Sequence, residues 1–196
     1  MNKNALIIFA RKPEKGKVKT RLAAGIGAQN ALKIYILLLQ HTKGISEHLA
    51  CDKFVFVTAH NNDDFWSGFN IELQQEGDLG ERMRQAFALL FRQKYERIII
   101  IGSDCPGLTS LHIEEAFTCL EQNDIVLGPT LDGGYYLLGM NKMHEDLFIN
   151  KSWSTPQVFP QTMAVITSDN LSYKLLGELT DVDEPGDVPV HWMNKL

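Results

Sequence analysis

An α/β domain built on a mainly parallel sheet is the fold this sequence predicts, and three features predict it. Continuous apolar runs of strand length occur at residues 5–10 (ALIIFA), 54–58 (FVFVT) and 97–102 (RIIIIG), the pattern of strands buried on both faces. Segments of helical periodicity lie between them, and such alternation implies parallel strands joined by helical crossovers. No internal repeat, low-complexity tract or Gly/Ser linker interrupts the pattern, so residues 1–196 are expected to form a single unit.

The elements follow in order. After the first strand, residues 28–41 (AQNALKIYILLLQH) carry apolar side chains at helical spacing, and after the second strand residues 71–75 make a shorter third. Residues 81–94 place Met83, Phe87, Leu90 and Phe91 on one helical face. Ser110 is suited to cap a helix over 111–122, and residues 124–128 and 135–140 are further strands. Thr155-Pro156 has the form of an N-cap followed by proline at the first helical position, opening a helix towards Asn170, although Pro160 sits awkwardly in it.

Composition removes several function classes. A pI near 5.7 and the absence of a broad basic face exclude general nucleic-acid binding. Cys51, Cys105 and Cys119 lack the spacing of a zinc site or a disulfide framework and suit a reducing cytoplasm. No apolar stretch approaches the ~20 residues of a membrane span, so no membrane association is expected and the protein reads as cytoplasmic.

Open parallel sheets bind ligands outside the carboxyl ends of their strands, which directs attention to the loops after residues 10, 58, 75, 102 and 128. The first is the most unusual. Between Arg11 and Arg21 stand Arg11, Lys12, Lys15, Lys17, Lys19 and Arg21 against the single acid Glu14, in a chain whose net charge is −5. A solvated surface loop is the ordinary reading of such a run. Its density favours a phosphate, because like charges a few Å apart cost about 1 kcal/mol per pair even in water. Gly16 lets the backbone turn, and Lys19-Thr20-Arg21 sets two cations around a hydroxyl. Arg11, Lys12, Lys19, Thr20 and Arg21 are therefore the phosphate-binding candidates. No G-x-x-x-x-G-K-[ST] loop occurs, and residues 25–30 (GIGAQN) miss the third glycine of G-x-G-x-x-G, so neither a P-loop NTPase nor a nicotinamide dehydrogenase is indicated.

The other loops supply acids and glycines. Asp104, just past the fourth strand, either caps a turn or, facing phosphates at the same sheet edge, holds a bridging Mg²⁺ or Mn²⁺. Cys105 beside it reads as a small packing residue, with no histidine nearby in sequence to activate it. Asp132 is a candidate base or hydroxyl acceptor as well as a turn residue, and Gly133 and Gly134 permit either a hairpin or close approach of a ligand to the backbone. Gly77, Asp78 and Gly80 either cradle a ligand at a helix N-terminus or merely turn the chain. Asp181, Asp183, Glu184 and Asp187 either complement a helix dipole or offer a second carboxylate. Tyr135, Trp153 and Ser154 are pocket candidates that core packing explains equally well.

Taken together, FARKPEKGKVKTRL, QEGDLGERM, GSDCPGL, GPTLDGGYYLLG, WST and DVDEPGD resemble a bacterial family assigned as glycosyltransferases, some linked to arsenosugar biosynthesis, within the nucleotide-diphospho-sugar transferase superfamily. The resemblance spans nearly the whole chain. It implies a GT-A fold, a three-layer α/β/α sandwich with a mixed, mainly parallel sheet, a nucleotide bound by the N-terminal half, and a divalent metal. KVKTRLA and PTLDGG are also similar to segments of the 2-phospholactate guanylyltransferases. The closing DEPGD is similar to the D-T-P-E-D ending of many nucleotidyltransferases, whose leading aspartate commonly serves the metal; by that match Asp183 joins Asp104. The first loop lacks the G-x-G-T-R of the sugar-nucleotide pyrophosphorylases.

The expected mechanism is a nucleotide over the sheet edge, with Lys12, Lys19 and Arg21 on its phosphates, Mg²⁺ or Mn²⁺ between Asp104 and Asp183, and Asp132 activating the hydroxyl of a small-molecule acceptor. The substrate is a nucleotide sugar if the resemblance decides, which is the reading adopted. Six cations on electrostatics alone favour a triphosphate and nucleotidyl transfer, with pyrophosphate leaving and no base required. A non-catalytic nucleotide-binding module is the remaining alternative.

Overall fold

A computed structural model of the chain describes residues 3–59 and 64–196. Strands β1 (Asn4–Ala10), β2 (Asp52–Val57), β3 (Asn70–Leu73), β4 (Arg97–Ile101), β5 (Ile125–Pro129), β6 (Tyr135–Met140) and β7 (Tyr173–Leu175) form one seven-stranded sheet in the order β3-β2-β1-β4-β6-β5-β7. Every pairing is parallel except those of β6, which runs antiparallel to both β4 and β5. The sheet is thus mixed and mainly parallel.

Helices cover both faces. Helices α1 (Thr20–Ile26), α2 (Ala28–Ser46), α4 (Ser110–Cys119) and α6 (Val190–Met193) pack on one face, and α3 (Leu79–Arg92) and α5 (Val158–Ser168) on the other. The two-residue period of a strand explains why β1 has no polar face. Leu6, Ile8 and Ala10 enter one core while Ala5 and Ile7 enter the other, and in β4 Ile99 and Ile101 oppose Ile98 and Ile100 in the same way. This is the three-layer α/β/α architecture of the GT-A class, with the carboxyl ends of β1 to β5 along one edge.

Three local expectations change and one strand is added. Helix α1 occupies the end of what reads as a loop: it begins after Lys19, whose backbone is left-handed (φ 46°), has no side-chain cap, and stops at Gly27 (φ 84°). With seven residues and only Leu22 fully buried, it carries too little periodicity to stand out. Strand β7 is three exposed residues on the sheet edge. Helix α4 starts at Ser110 itself, because Thr109 is the cap, its amide and hydroxyl both meeting His112 Nδ1 at 3.1 and 2.9 Å. Helix α5 starts at Val158 rather than at Pro156. Pro160 therefore falls in its first turn, where an amide N–H has no intrahelical acceptor and proline loses nothing. Among the described residues, no helix is long and apolar enough to cross a membrane.

Candidate active site

A cleft of about 710 Å³ opens along the carboxyl edge of the sheet. The two ends of the basic segment, Arg11 and residues 18–21, line it. Arg11 leaves β1 with its amide donating to Tyr35 Oη (2.8 Å), and the same hydroxyl donates to the Arg11 carbonyl (3.1 Å), so α2 pins the loop's root. A turn closed by Lys17 N–H on the Glu14 carbonyl (3.0 Å), with Gly16 at φ 79°, reverses the chain, and buried Val18 anchors it again. Lys19 follows in the left-handed region, which costs a non-glycine residue about 1–2 kcal/mol.

That strained backbone sends Lys19 Nζ between two carboxylates, 3.0 Å from Asp104 Oδ2 and 3.3 Å from Asp183 Oδ1, while Arg21 reaches Asp183 Oδ2 at 3.2 Å. The Lys19 side chain is only 8% exposed; Asp104 and Asp183 are 40% and 38% exposed. Burial alone opposes the lysine's charge. The combined pull of Asp104 and Asp183 outweighs it and holds the ammonium's pKa above the ordinary lysine value.

The sequence explains how residues so far apart meet. Beyond β7 the chain runs along the sheet end: Leu176 N–H bonds Leu127 O, Leu179 N–H bonds Pro129 O, and Val182 N–H bonds Asp104 O at 2.9 Å. Fully buried Val182 fixes the register, leaving Asp181 and Asp183 together on the cleft side, as i and i+2 of an extended segment must be. Asp187 is spent on structure, accepting the amides of Asp183 (3.0 Å) and Glu184 (2.7 Å). Gly25 of α1 permits Pro185 to approach, since a Cβ there would lie 2.4 Å from the proline ring.

The β5–β6 turn lines the cleft too, through Thr130, Asp132 and Gly134. Asp132 Oδ1 accepts from Thr130 Oγ1 (2.5 Å) and from Gly134 N–H (3.1 Å); among the described residues Oδ2 accepts nothing. The third wall joins Asp78, which caps α3 by accepting from Glu81 N–H (2.8 Å), to Trp153, Ser154 and Tyr135. Gln74 sits where this cleft meets a neighbouring one of about 640 Å³. Its side-chain amide donates to Phe56 O (2.8 Å) and Ala10 O (3.2 Å), so only its carbonyl oxygen is left to meet a ligand.

A model of a family described as "Uncharacterized protein conserved in bacteria (DUF2064)" matches residues 38–155. The chain belongs to that family. No curated protein matches the sequence. A crystal structure from Desulfovibrio desulfuricans G20, called a "putative nucleotide-diphospho-sugar transferase", is 30% identical with TM-score 0.88, covering 94% of this chain and 84% of its own. Two further structures share the fold. CMP:2-keto-3-deoxy-manno-octonic acid synthetase complexed with CTP has 9% identity and TM-score 0.60, over 93% of this chain and 94% of its own. Glucosyl-3-phosphoglycerate synthase from Mycobacterium tuberculosis, in complex with Mn²⁺, UDP and glucosyl-3-phosphoglycerate, has 11% identity and TM-score 0.54, over 95% and 74%.

In this DUF2064 protein the cleft gathers Arg11, Lys19, Thr20, Arg21, Gly77, Asp78, Asp104, Asp132, Gly134, Tyr135, Trp153, Ser154 and Asp183 of the sequence candidates. Three others stand elsewhere. Lys12 lines the neighbouring cleft, because its amide is tied to Thr58 Oγ1 (3.1 Å) and its ammonium leans to Glu14 (3.6 Å). Gly80 is a packing glycine, for a Cβ there would meet the Trp153 indole at 2.4 Å. Gly133 (φ 87°) likewise makes room for Pro156, whose carbonyl oxygen would be 2.5 Å from a Cβ. The basic loop is also less bare than its sequence implies: Lys12 and Lys17 share Glu14, and Lys19 and Arg21 share the aspartates. Part of the anion that the charge density demands is the protein's own.

Among the described residues no three His, Cys, Asp or Glu side chains are grouped to hold a metal alone. Asp104 and Asp183 nevertheless converge on one point, and two carboxylates plus substrate phosphate oxygens are the usual donor set for Mg²⁺ or Mn²⁺. The residues present fit such an ion.

Asp181 escaped the sequence reading as an individual site residue, although its place two before Asp183 was the available signal. Burial first, then Asp104, Asp132 and Asp183, push its carboxyl up to about 6. The folded state then binds that proton more tightly than the unfolded chain, so stability is greatest below about pH 4 as far as this group goes and falls as pH rises through 6. Asp181→Asn is expected to raise Tm at pH 7.5, with the gain fading towards pH 4; equal Tm values at pH 7.5 would refute this. The thiols behave as packing groups. Burial pushes Cys51 up to about 12 and Cys105 up to about 11. Iodoacetamide on the native protein at pH 8 should add at most one adduct by intact mass, at half-buried Cys119, and three only after denaturation.

Proposed function

We propose that this chain is a divalent-metal-dependent transferase that moves a sugar from a nucleotide sugar to a hydroxyl of a small acceptor. The observation that carries the choice is Asp132. Its Oδ1 is held by Thr130 and Gly134, while among the described residues Oδ2 on the cleft wall has no hydrogen-bond partner. A carboxylate oriented in this way is what abstraction of a hydroxyl proton needs, and a phosphate nucleophile would have no use for it. The name given to the 30%-identical relative, a nucleotide-diphospho-sugar transferase, supports the same reading.

In this reading Lys19, Thr20 and Arg21 take the diphosphate, with Arg11 in the same cleft, and Gly77 and Asp78 border the bound nucleotide. Asp104 and Asp183 hold Mg²⁺ or Mn²⁺, which when bound supplies positive charge for the departing nucleoside diphosphate. A distant fold neighbour holds Mn²⁺ and UDP together. Tyr135, Trp153, Ser154 and Gly134 line the acceptor's side, and Asp132 takes its proton. One observation favours a second reading, nucleotidyl transfer: Arg11 has no ion pair among the described residues, so the cleft keeps a cation to spare for a triphosphate.

The test is to incubate the protein with nucleotide sugars and nucleoside triphosphates, with Mn²⁺, Mg²⁺ or EDTA, across a panel of sugars, phosphorylated acids and arsenosugar precursors. Metal-dependent release of nucleoside diphosphate from one nucleotide sugar supports glycosyl transfer. Pyrophosphate release from a triphosphate replaces it with the second reading. A thermal shift with nucleotide and no turnover on any acceptor leaves a binding module.

A further inference from the structure

Lys19 stands where its own site's metal belongs. Its ammonium nitrogen is the point on which Asp104 Oδ2 and Asp183 Oδ1 converge, at 3.0 and 3.3 Å. The side chain is 8% exposed, so it is not a mobile surface lysine that happens to lean inward. Its backbone is held at φ 46° and ψ 51° at the start of α1, a conformation that persists in a lysine only when its surroundings hold it there. Arg21 adds a second cation on Asp183 at 3.2 Å. An ammonium and a divalent ion within a few Å of each other repel strongly at the low effective dielectric of a cleft. Both therefore cannot share this pair of carboxylates unless the ammonium finds another anion.

We propose that Lys19 is a built-in counter-cation that makes metal binding conditional on the nucleotide: alone, it occupies the Asp104–Asp183 pair and keeps a divalent ion out, and a bound diphosphate draws the ammonium away and admits the ion. The proposal rests on the reading above that a nucleotide occupies the cleft. It assigns Lys19 two successive partners, the carboxylates in the free protein and a phosphate in the complex. Removing its charge then has opposite effects on the two ligands. The carboxylates, left facing one another, take up metal more readily, while the phosphates lose a contact.

The experiment is a Mn²⁺ titration followed by electron paramagnetic resonance, which counts free Mn²⁺, on the wild-type protein, Lys19→Met and Lys19→Arg. With Mn²⁺ alone, Lys19→Met is expected to bind at least tenfold more tightly than wild type, and Lys19→Arg as weakly as wild type. Mn²⁺ alone should likewise raise the Tm of Lys19→Met and leave that of wild type nearly unchanged. Lys19→Gln is run beside them, so that failure of one variant to fold leaves the comparison intact. A second arm adds each of UDP, GDP, CDP and ADP in turn, with binding of Mn²⁺ by the nucleotide itself subtracted. At least one should increase protein-bound Mn²⁺ tenfold in wild type and by less in Lys19→Met. Equal or weaker Mn²⁺ binding by the methionine and glutamine variants overturns the proposal. Tighter binding by those variants with no response to any nucleotide upholds the competition at the carboxylates and overturns the nucleotide reading instead.

Discussion

Asp104→Asn should cut turnover about a thousandfold, a loss of roughly 4 kcal/mol of transition-state stabilisation, and should also abolish the response to Mn²⁺ or Mg²⁺. The asparagine occupies the same volume beside Gly102, where any side chain would crowd Asp104 Oδ1 at 2.8 Å, so the geometry of the loop after β4 is retained. What disappears is one of two negative charges. Lys19 keeps Asp183 at 3.3 Å, which is why the fold should survive while the metal-dependent step does not. Initial rates against metal concentration, on the donor identified by the substrate screen, decide the matter. A variant retaining more than a tenth of wild-type turnover, or one still activated by metal at unchanged concentration, would remove Asp104 from the metal's ligands.

Much of this arrangement can be read in the sequence because strand burial and loop chemistry are local signals. RIIIIG followed by SDCPG announces both a central strand and the carboxylate at its end, and the apolar run at residues 5–10 places the basic loop at the same edge. The reversal of β6 is different. YYLLGM has the composition of any buried strand, and only its antiparallel pairing with Ile98–Ile101 of β4 and Ile125–Pro129 of β5 reveals its direction. The family resemblance implies a mixed sheet without saying which strand is reversed. The short elements α1 and β7 were hidden for a simpler reason, since seven and three residues offer fewer than two full turns or alternations to detect.

The site was legible in its residue types and less so in its pairings. Nothing in KVKTRLA states that Lys19 takes a left-handed backbone and sinks between Asp104 and Asp183, because that depends on Val182 docking on the Asp104 carbonyl from 78 residues away. The glycines of QEGDLGERM and LDGGYY leave room in sequence for a ligand or a turn; in the structure the space beside Gly80 and Gly133 is filled by Trp153 and Pro156. Glycine permits close approach without saying of what. Gln74 does not stand out in the sequence because its side chain is held at the cleft by two carbonyls, those of Ala10 and Phe56, that only the sheet brings together.

Asp132→Asn separates the two chemistries. An asparagine carbonyl still accepts from Thr130 Oγ1 and Gly134 N–H, so the turn keeps its form, but the free oxygen becomes an amide nitrogen and can no longer take a proton. If Asp132 activates an acceptor hydroxyl, kcat should fall by about 10²- to 10⁴-fold while the KM for the donor stays near its wild-type value, because the proposal gives the diphosphate to Lys19 and Arg21 and not to Asp132. Thr130→Val should give a smaller loss, since it frees Oδ1 without removing the base. An unchanged kcat in Asp132→Asn would mean that the nucleophile arrives already ionised, as a phosphate does. Asp132 would then be a turn residue, and the spare charge of Arg11 would point to a triphosphate donor.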